Sequence, residues 1–283
     1  MQNLPITERL DLMLREGSKK QRLLAGHVLS NLSKCSFVSA RDLAAMYCVD
    51  VATVIRFSQR LGFRRYDDFR QSLRAHYLSS LEPLDLLQEQ DRVPSTDAID
   101  TIVQQDIRIL SQLAKTIDQA ALRDLARRIG AAQRILVIGF GEHGGVAVAL
   151  GHLLCYLGLD VVLETRGSVY LGAQVANLGP DDFLLSFSFW RPPKDIVQAF
   201  MWSRRNGICT AVISDSATSR VAIEANYTIV VPCEAVSFFQ SMTAVLSVVH
   251  ALVALVAADR GVRAKEAIGR SRAYNREFGI VIG

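Results

Sequence analysis

Apolar residues in the first 78 positions recur at three- and four-residue spacings and almost never alternate, so this stretch predicts short amphipathic helices. Two of them stand close together in "SARDLAAMYCVDVATVIRFSQRLGF", residues 39–63. Ser39 is placed to cap a short helix whose inward face is Ala40, Leu43, Ala44 and Tyr47. Asp50 is placed to cap a second helix that runs to Leu61 and ends at Gly62. The inward face of the second helix reads as Val51, Val54, Ile55, Phe57 and Leu61, and its outward face as Ala52, Thr53, Arg56, Gln59 and Arg60. These spacings suit two helices crossing steeply, as in a helix-turn-helix. Cys48 stands in the turn where glycine is commonest.

The pattern then changes. Residues 79–96 carry Pro83 and Pro94 among acidic residues and read as a linker. Residues 97–130 predict two more helices, the second capped by Asp118. From 134 onward, apolar strands (134–140, 160–164, 183–189, 208–214, 227–232) alternate with helical stretches (144–157, 167–177, 194–206, about 218–225), and a long apolar helix follows at 240–258. Near-continuous apolar strands joined by helical crossovers predict a parallel sheet covered on both faces. The fold class is α/β: an all-helical N-terminal helix-turn-helix domain over 1–78, the linker, and a doubly wound five-stranded parallel-sheet domain with its preceding helices over 97–283.

Composition narrows the setting. Half of the 283 residues are hydrophobic, enough for a substantial core. The longest apolar run, 242–258, contains His250 and stops at Asp259 and Arg260, which fits a buried core helix better than a membrane span. The N-terminus lacks the basic and apolar regions of a signal peptide. Five cysteines with no C-x-x-C pair argue for a reducing cytoplasm and against disulfides or a structural metal. Charge is uneven: residues 1–78 carry 13 Lys/Arg against 7 Asp/Glu, and the remainder 19 against 21. A basic front on a slightly acidic body points to nucleic acid as the partner of the front. Ala52 is short enough for close approach to a duplex, and Thr53 suits a phosphate or a thymine methyl. Arg56, Gln59 and Arg60 can reach base edges or backbone, and Arg64 and Arg65 form a corner suited to phosphates.

"DLAAMYCVDVATVIRFSQRLGFRRYDDFRQSL", residues 42–73, resembles the N-terminal domain of MurR/RpiR-type transcriptional regulators, whose core pattern stands here at Ala52 to Phe63. Asp50 replaces the usual serine, and Arg65 a usual small residue. The resemblance implies a C-terminal SIS (sugar isomerase) domain that binds phosphosugars.

"VIGFGEHGG", residues 137–145, also satisfies the G-x-G-x-x-G dinucleotide fingerprint through Gly139, Gly141 and Gly144, with Glu164 at the ribose-binding distance. Both a dinucleotide fold and a SIS domain open with strand, glycine turn and helix. The chain ends after five strands without a second mononucleotide half, so no cofactor is expected. As a SIS loop, the segment implies ligand contacts from Gly141 and from His143, which stands where a hydroxyl residue is usual. The second loop, "SFSFWRPPKD" (186–195), keeps Ser186 and Ser188 but carries Phe189 for glycine and lacks the threonine. Arg191 and Lys194 stand there instead, beside Pro193, which suits a helix's first turn. "SFFQSM" (237–242) resembles the third ligand-facing segment, with Ser237, Gln240 and Ser241 opening the long helix. Two cations at a helix N-terminus favour an anionic effector, a phosphosugar or a carboxylate such as a sugar acid.

Isomerisation needs a general base. Glu142, His143, Glu164 and Glu234 are nominal candidates, but no catalytic constellation stands out. The sequence therefore reads as a cytoplasmic regulator, not an enzyme, that binds double-stranded operator DNA as a homodimer or homotetramer, with no membrane partner. The alternative is a SIS-type sugar-phosphate isomerase with an accessory helical domain.

Overall fold

The computed structural model describes residues 5–80, 98–234 and 239–280, in two units, Met1–Glu89 and Gln90–Gly283. Helices α1 (Ile6–Glu16), α2 (Lys19–Ser30), α3 (Leu32–Cys35), α4 (Ala40–Met46), α5 (Val51–Arg60) and α6 (Tyr66–Ser80) make up the described part of the first. Apart from Ser79 and Ser80, which end α6, the segment read as a linker lies outside the described residues.

Ser39 and Asp42 close a reciprocal cap on α4: the Ser39 hydroxyl accepts from the Asp42 N–H at 3.2 Å, and the Asp42 carboxylate accepts from the Ser39 N–H at 3.3 Å. The turn into α5 passes through Cys48 at φ 53°, a left-handed conformation that glycine tolerates best. Asp50 occupies the N-cap position of α5, but its side chain makes no capping bond, contrary to expectation. The buried face of α5 also differs from the reading. Val54, Phe57 and Leu61 are buried, and so is Ser58, whose hydroxyl donates to the Ile55 carbonyl at 2.8 Å. Val51 and Ile55, expected inward, are exposed. They lie beside the buried arc, whose fully buried members are Val54, Phe57 and Ser58 of α5 with Leu61 at its C-cap.

Three contacts hold the C-terminal half of α5 and the turn that follows it. Arg9 of α1 donates through Nη1 to the Leu61 carbonyl at 3.2 Å, satisfying a carbonyl left over at the helix end, and its guanidinium lies 4.9 Å from the Phe63 ring centroid. Phe57 meets Phe69 edge to face at 5.8 Å.

The second unit starts with α7 (Ala98–Thr116) and α8 (Gln119–Ala131), the latter capped as expected by Asp118, which accepts from the N–H groups of Ala120 and Ala121. There follow β1 (Ile135–Ile138), α9 (His143–Tyr156), β2 (Val161–Glu164), α10 (Ser168–Ala176), β3 (Phe183–Phe187), α11 (Lys194–Arg205), β4 (Cys209–Ser214), α12 (Arg220–Glu224), β5 (Tyr227–Val230), α13 (Thr243–Arg260) and α14 (Val262–Glu277). The strands form one parallel sheet in the order β2-β1-β3-β4-β5. Alternate residues serve opposite layers. Ile135, Val137, Phe183, Leu185 and Phe187 meet α8, α9 and α13; Leu136, Ile138 and Leu184 meet α10 and α11.

Helix α13 is long and apolar enough to cross a membrane, yet its Ala244, Val245, Val248, Val249, Leu252 and Val256 are buried in this core. It begins three residues later than predicted. The Ser241 N–H is bonded to the Cys233 carbonyl at 3.1 Å, which keeps Ser241 out of the helix.

Candidate DNA-reading face and ligand site

Helix α5 presents Val51, Ala52, Ile55, Arg56, Gln59 and Arg60 to solvent, with Thr53 half-buried beside them. Arg56 reaches back to the Thr53 hydroxyl at 3.4 Å, so the two side chains share one face. Arg64 and Arg65 follow the helix and are exposed. Arg65 is partly committed within the protein: its N–H donates to the Asp68 carboxylate at 3.1 Å, and its guanidinium lies 3.8 Å from Asp67.

The second site forms at the carboxyl ends of β1 and β3. These strands are neighbours, but α9 covers one face of the sheet and α11 the other, so the loops that leave them part at the point where doubly wound sheets bind their ligands. The β1 loop is packed tightly. A Cβ on Gly139 would lie 2.5 Å from the His143 carbonyl oxygen and 2.7 Å from the Ala147 Cβ. Gly141 has φ 58° and open space around it. The His143 N–H donates to the Phe140 carbonyl at 3.1 Å, and α9 starts at that residue.

The His143 side chain is only 15% exposed and lies against Phe189 from the β3 loop, with ring centroids 5.2 Å apart. Its Nε2 is buried without a hydrogen-bond partner, 3.6 Å from Glu142 Oε1. Burial lowers the His143 pKa below its ordinary value, and the nearby Gln240 amide, short of good hydrogen-bonding geometry, only partly offsets it. Burial raises the Glu142 pKa, opposed by the Gln240 N–H. Ser188 donates its N–H to the Ile213 carbonyl at 3.0 Å, while its hydroxyl is buried without a partner, as is Gln240 Oε1. The structure thus gathers His143, the Ser188–Phe189 turn, Glu142 and Gln240 at the carboxyl ends of β1 and β3.

The other residues read as ligand contacts are held differently. Ser186 is fully buried in β3, its hydroxyl 3.5 Å from the Phe187 carbonyl. Arg191 and Lys194 are exposed at the start of α11, with Pro193 at the N-cap position just before the first turn. The Arg191 guanidinium lies 5.6 Å from the Trp190 ring. The Ser241 hydroxyl donates to Asp106 of α7 at 2.6 Å, and the Thr243 hydroxyl donates to the same carboxylate at 2.8 Å. Ser237 lies outside the described residues.

Three supporting residues escaped the sequence reading. Asp106 is one. Asp215 accepts the Trp190 N–H on both carboxylate oxygens, at 3.2 and 3.3 Å, and holds Trp190 at φ 59°. Burial pushes the Asp215 pKa up, and the Trp190 N–H opposes that. Gln105 donates from its amide to the Glu234 carbonyl at 3.1 Å. Only the position of Asp215, just past a strand end in a doubly wound sheet, could have drawn attention beforehand.

Glu164 is fully buried and already engaged. Its carboxylate accepts from the Arg166 N–H at 2.7 Å and the Gly167 N–H at 3.3 Å, and pairs with the Arg166 guanidinium at 3.2 Å. Burial alone would raise its pKa, but these donors outweigh it and hold the carboxyl below its ordinary value. Among the described residues no group of three or more His, Cys, Asp or Glu is arranged to hold a metal.

Residues 5–80 match the family model described as a helix-turn-helix domain of the rpiR family, and residues 129–255 match the SIS domain. The chain is 24% identical over 205 residues to an uncharacterized HTH-type transcriptional regulator of Clostridium perfringens, covering 71% of this chain and 72% of the relative. It is similar to the crystal structure of the sugar isomerase domain of an RpiR transcription factor from Sphaerobacter thermophilus: 28% identity, TM-score 0.60, 62% of this chain and 99% of that one. It shares its fold with the Vibrio vulnificus NanR protein complexed with ManNAc-6P, at 21% identity and TM-score 0.62, over 96% of this chain and 98% of that one.

Proposed function

Because the chain belongs to the RpiR family of helix-turn-helix transcriptional regulators, with a SIS domain as its second unit, we propose that it reads duplex DNA through α5 and senses an anionic sugar derivative, a phosphosugar or a sugar acid, at the carboxyl ends of β1 and β3. The observation that carries the DNA reading is the exposed face with Arg56, Gln59 and Arg60 on a helix anchored by Arg9 and a phenylalanine cluster. Such a face neutralises phosphates and presents donors to base edges.

The sensor reading rests on the unpartnered Ser188 hydroxyl and on His143 Nε2 and Gln240 Oε1, buried near each other without a well-formed hydrogen bond. Buried polar atoms without partners cost about 1–3 kcal/mol each, a cost that the hydroxyls of a sugar relieve on binding. The N-termini of α9 and α11, with Lys194 and Arg191 at the second, supply positive potential for its acidic group. An operator with two-fold symmetry calls for paired readers, so a homodimer or homotetramer in the cytoplasm completes the proposal.

Two measurements test it. At low salt the full chain should bind duplex DNA in fluorescence anisotropy, and Arg64→Ala should weaken all sequences alike and reduce the salt slope by about 1. No DNA affinity at low salt overturns the regulator. In a thermal-shift screen, phosphosugars or sugar acids should stabilise the protein, with Arg191→Ala raising the dissociation constant several-fold; stabilisation by neutral sugars alone overturns the anion reading.

A second reading has one specific observation behind it. Glu142 and His143, 3.6 Å apart with pKa values shifted in opposite directions, have the makings of an acid–base pair for aldose–ketose isomerisation. Exchange of a sugar phosphate's C2 proton in heavy water, followed by NMR, would establish it.

A further inference from the structure

We propose that Val51 and Ile55 read thymine C5-methyl groups in the major groove, making an apolar strip on α5 a determinant of operator sequence. The inference rests on the DNA-binding role of α5 and goes further, because it assigns a base to residues that the amphipathic pattern had assigned to the core.

The two side chains are 39% and 37% exposed, whereas Val54 and Phe57 on the same helix are 0% and 1% exposed. They stand four residues apart, in the first and second turns, and therefore on one side of the helix. Ala52 and Arg56, each the next residue in the chain, are also exposed. The exposed surface of α5 thus combines an apolar strip near its N-terminus with Arg56, Gln59 and Arg60 beside and beyond it.

That pattern matches a duplex. In a helix-turn-helix the N-terminal part of the second helix meets the base edges. The thymine methyl is the apolar group that base pairs display in the major groove, and phosphates and guanine acceptors suit the flanking arginines. A purely apolar partner would leave Arg56 and Arg60 to be desolvated without compensation. Ala52, exposed beside the two larger residues, leaves room for the helix to enter.

The test uses the full chain. A preferred duplex is selected from a random pool, each thymine is replaced singly by deoxyuridine, which lacks only the methyl, and affinity is read by anisotropy. At least one replacement in each half-site should weaken wild-type binding by about three- to fivefold, the scale of one buried methyl group. Ile55→Ala or Val51→Ala should abolish that penalty at its own position and leave the salt slope unchanged. Thermal melts of both variants establish that the fold is kept, and Ile55→Thr, retaining one methyl, should give an intermediate penalty.

Sequence-specific binding insensitive to every deoxyuridine, or a penalty unchanged in both alanine variants, overturns the inference and leaves the regulator standing. Failure to enrich any duplex overturns both. If Ile55→Ala instead changes the sedimentation coefficient of the free protein, the strip is a contact between copies and the inference fails.

Discussion

Alanine at Gly139 separates a turn built for packing from one built for a ligand. The new Cβ would lie 2.5 Å from the His143 carbonyl oxygen and 2.7 Å from the Ala147 Cβ, both on α9. Ordinary contacts need roughly 3.4 Å or more, so the first turn of α9 must retreat from β1 by on the order of 1 Å. Overpacking of this kind costs about 1–3 kcal/mol, and loosening the His143–Phe189 ring contact adds about 0.5–1 kcal/mol. The expected loss is about 1.5–4 kcal/mol.

Two other glycines of the same motif are the controls. Gly145 has open space around it inside α9, so Gly145→Ala should gain up to about 1 kcal/mol from helix propensity. Gly141 also has open space but a φ of 58°, so Gly141→Ala should lose about 1 kcal/mol. Urea unfolding followed by tryptophan fluorescence reads this unit selectively, because both tryptophans, Trp190 and Trp202, belong to it. The midpoint should fall for Gly139→Ala with the slope unchanged. A Gly139→Ala protein within about 0.5 kcal/mol of wild type, or a Gly145→Ala variant as damaged as Gly139→Ala, would refute the packing argument.

Three further outcomes follow from named contacts. Cys48→Gly should raise the stability of the helical unit by about 1 kcal/mol, since it removes the strain of a side chain at φ 53°; a circular-dichroism melt no higher than wild type contradicts this. Glu164 has its folded pKa held below the ordinary 4.5, so its contribution is present above that value and lost as pH falls through the lowered folded pKa. Glu164→Gln should therefore destabilise the protein near pH 7 and converge on wild type in acid, and a gap in urea midpoints that stays constant down to pH 3 would be inconsistent with it. Asp106→Asn weakens a carboxylate that accepts from the Ser241 and Thr243 hydroxyls. It should cost about 1 kcal/mol and speed hydrogen exchange at the first amides of α13, and unchanged exchange there would contradict the assignment.

What the sequence disclosed was local. Near-continuous apolar runs separated by helical stretches mark the strands of the sheet domain, and the five strands lie within their predicted spans. Ser39 and Asp118 cap as read, since a cap needs only a side chain and an amide two or three residues away. Asp50 stands in the right position without making the bond. Val51 and Ile55 were misplaced for a related reason. Periodicity shows which residues share a side of α5, but the width of the buried arc depends on where α4 and α6 touch it. Ser58 enters that arc because its hydroxyl finds the Ile55 carbonyl, an option a hydropathy pattern does not register. The same applies to the serines of the second unit: Ser188 is buried with its hydroxyl unpaired, whereas Ser241 meets an aspartate 135 residues away.

The glycine fingerprint shows how one spacing arises from two causes. Gly139 and Gly141 are needed by the turn itself, the first for close approach of α9 and the second for its positive φ. Glu164 stands where a ribose-binding acid would, yet the interval from Gly144 is simply the length of one helix, its return and the next strand. Any doubly wound domain places a strand end there. At that end the chain enters α10 through Gly167 at φ 79° and Ser168 at φ 52°. A backbone bent so sharply exposes amides that need acceptors. Glu164 takes those of Arg166 and Gly167, and Asp195 takes that of Ser168 at 2.8 Å. An acid at the fingerprint distance is thus explained by the turn that follows it. In such a sheet the informative acids are those whose oxygens the neighbouring amides leave free.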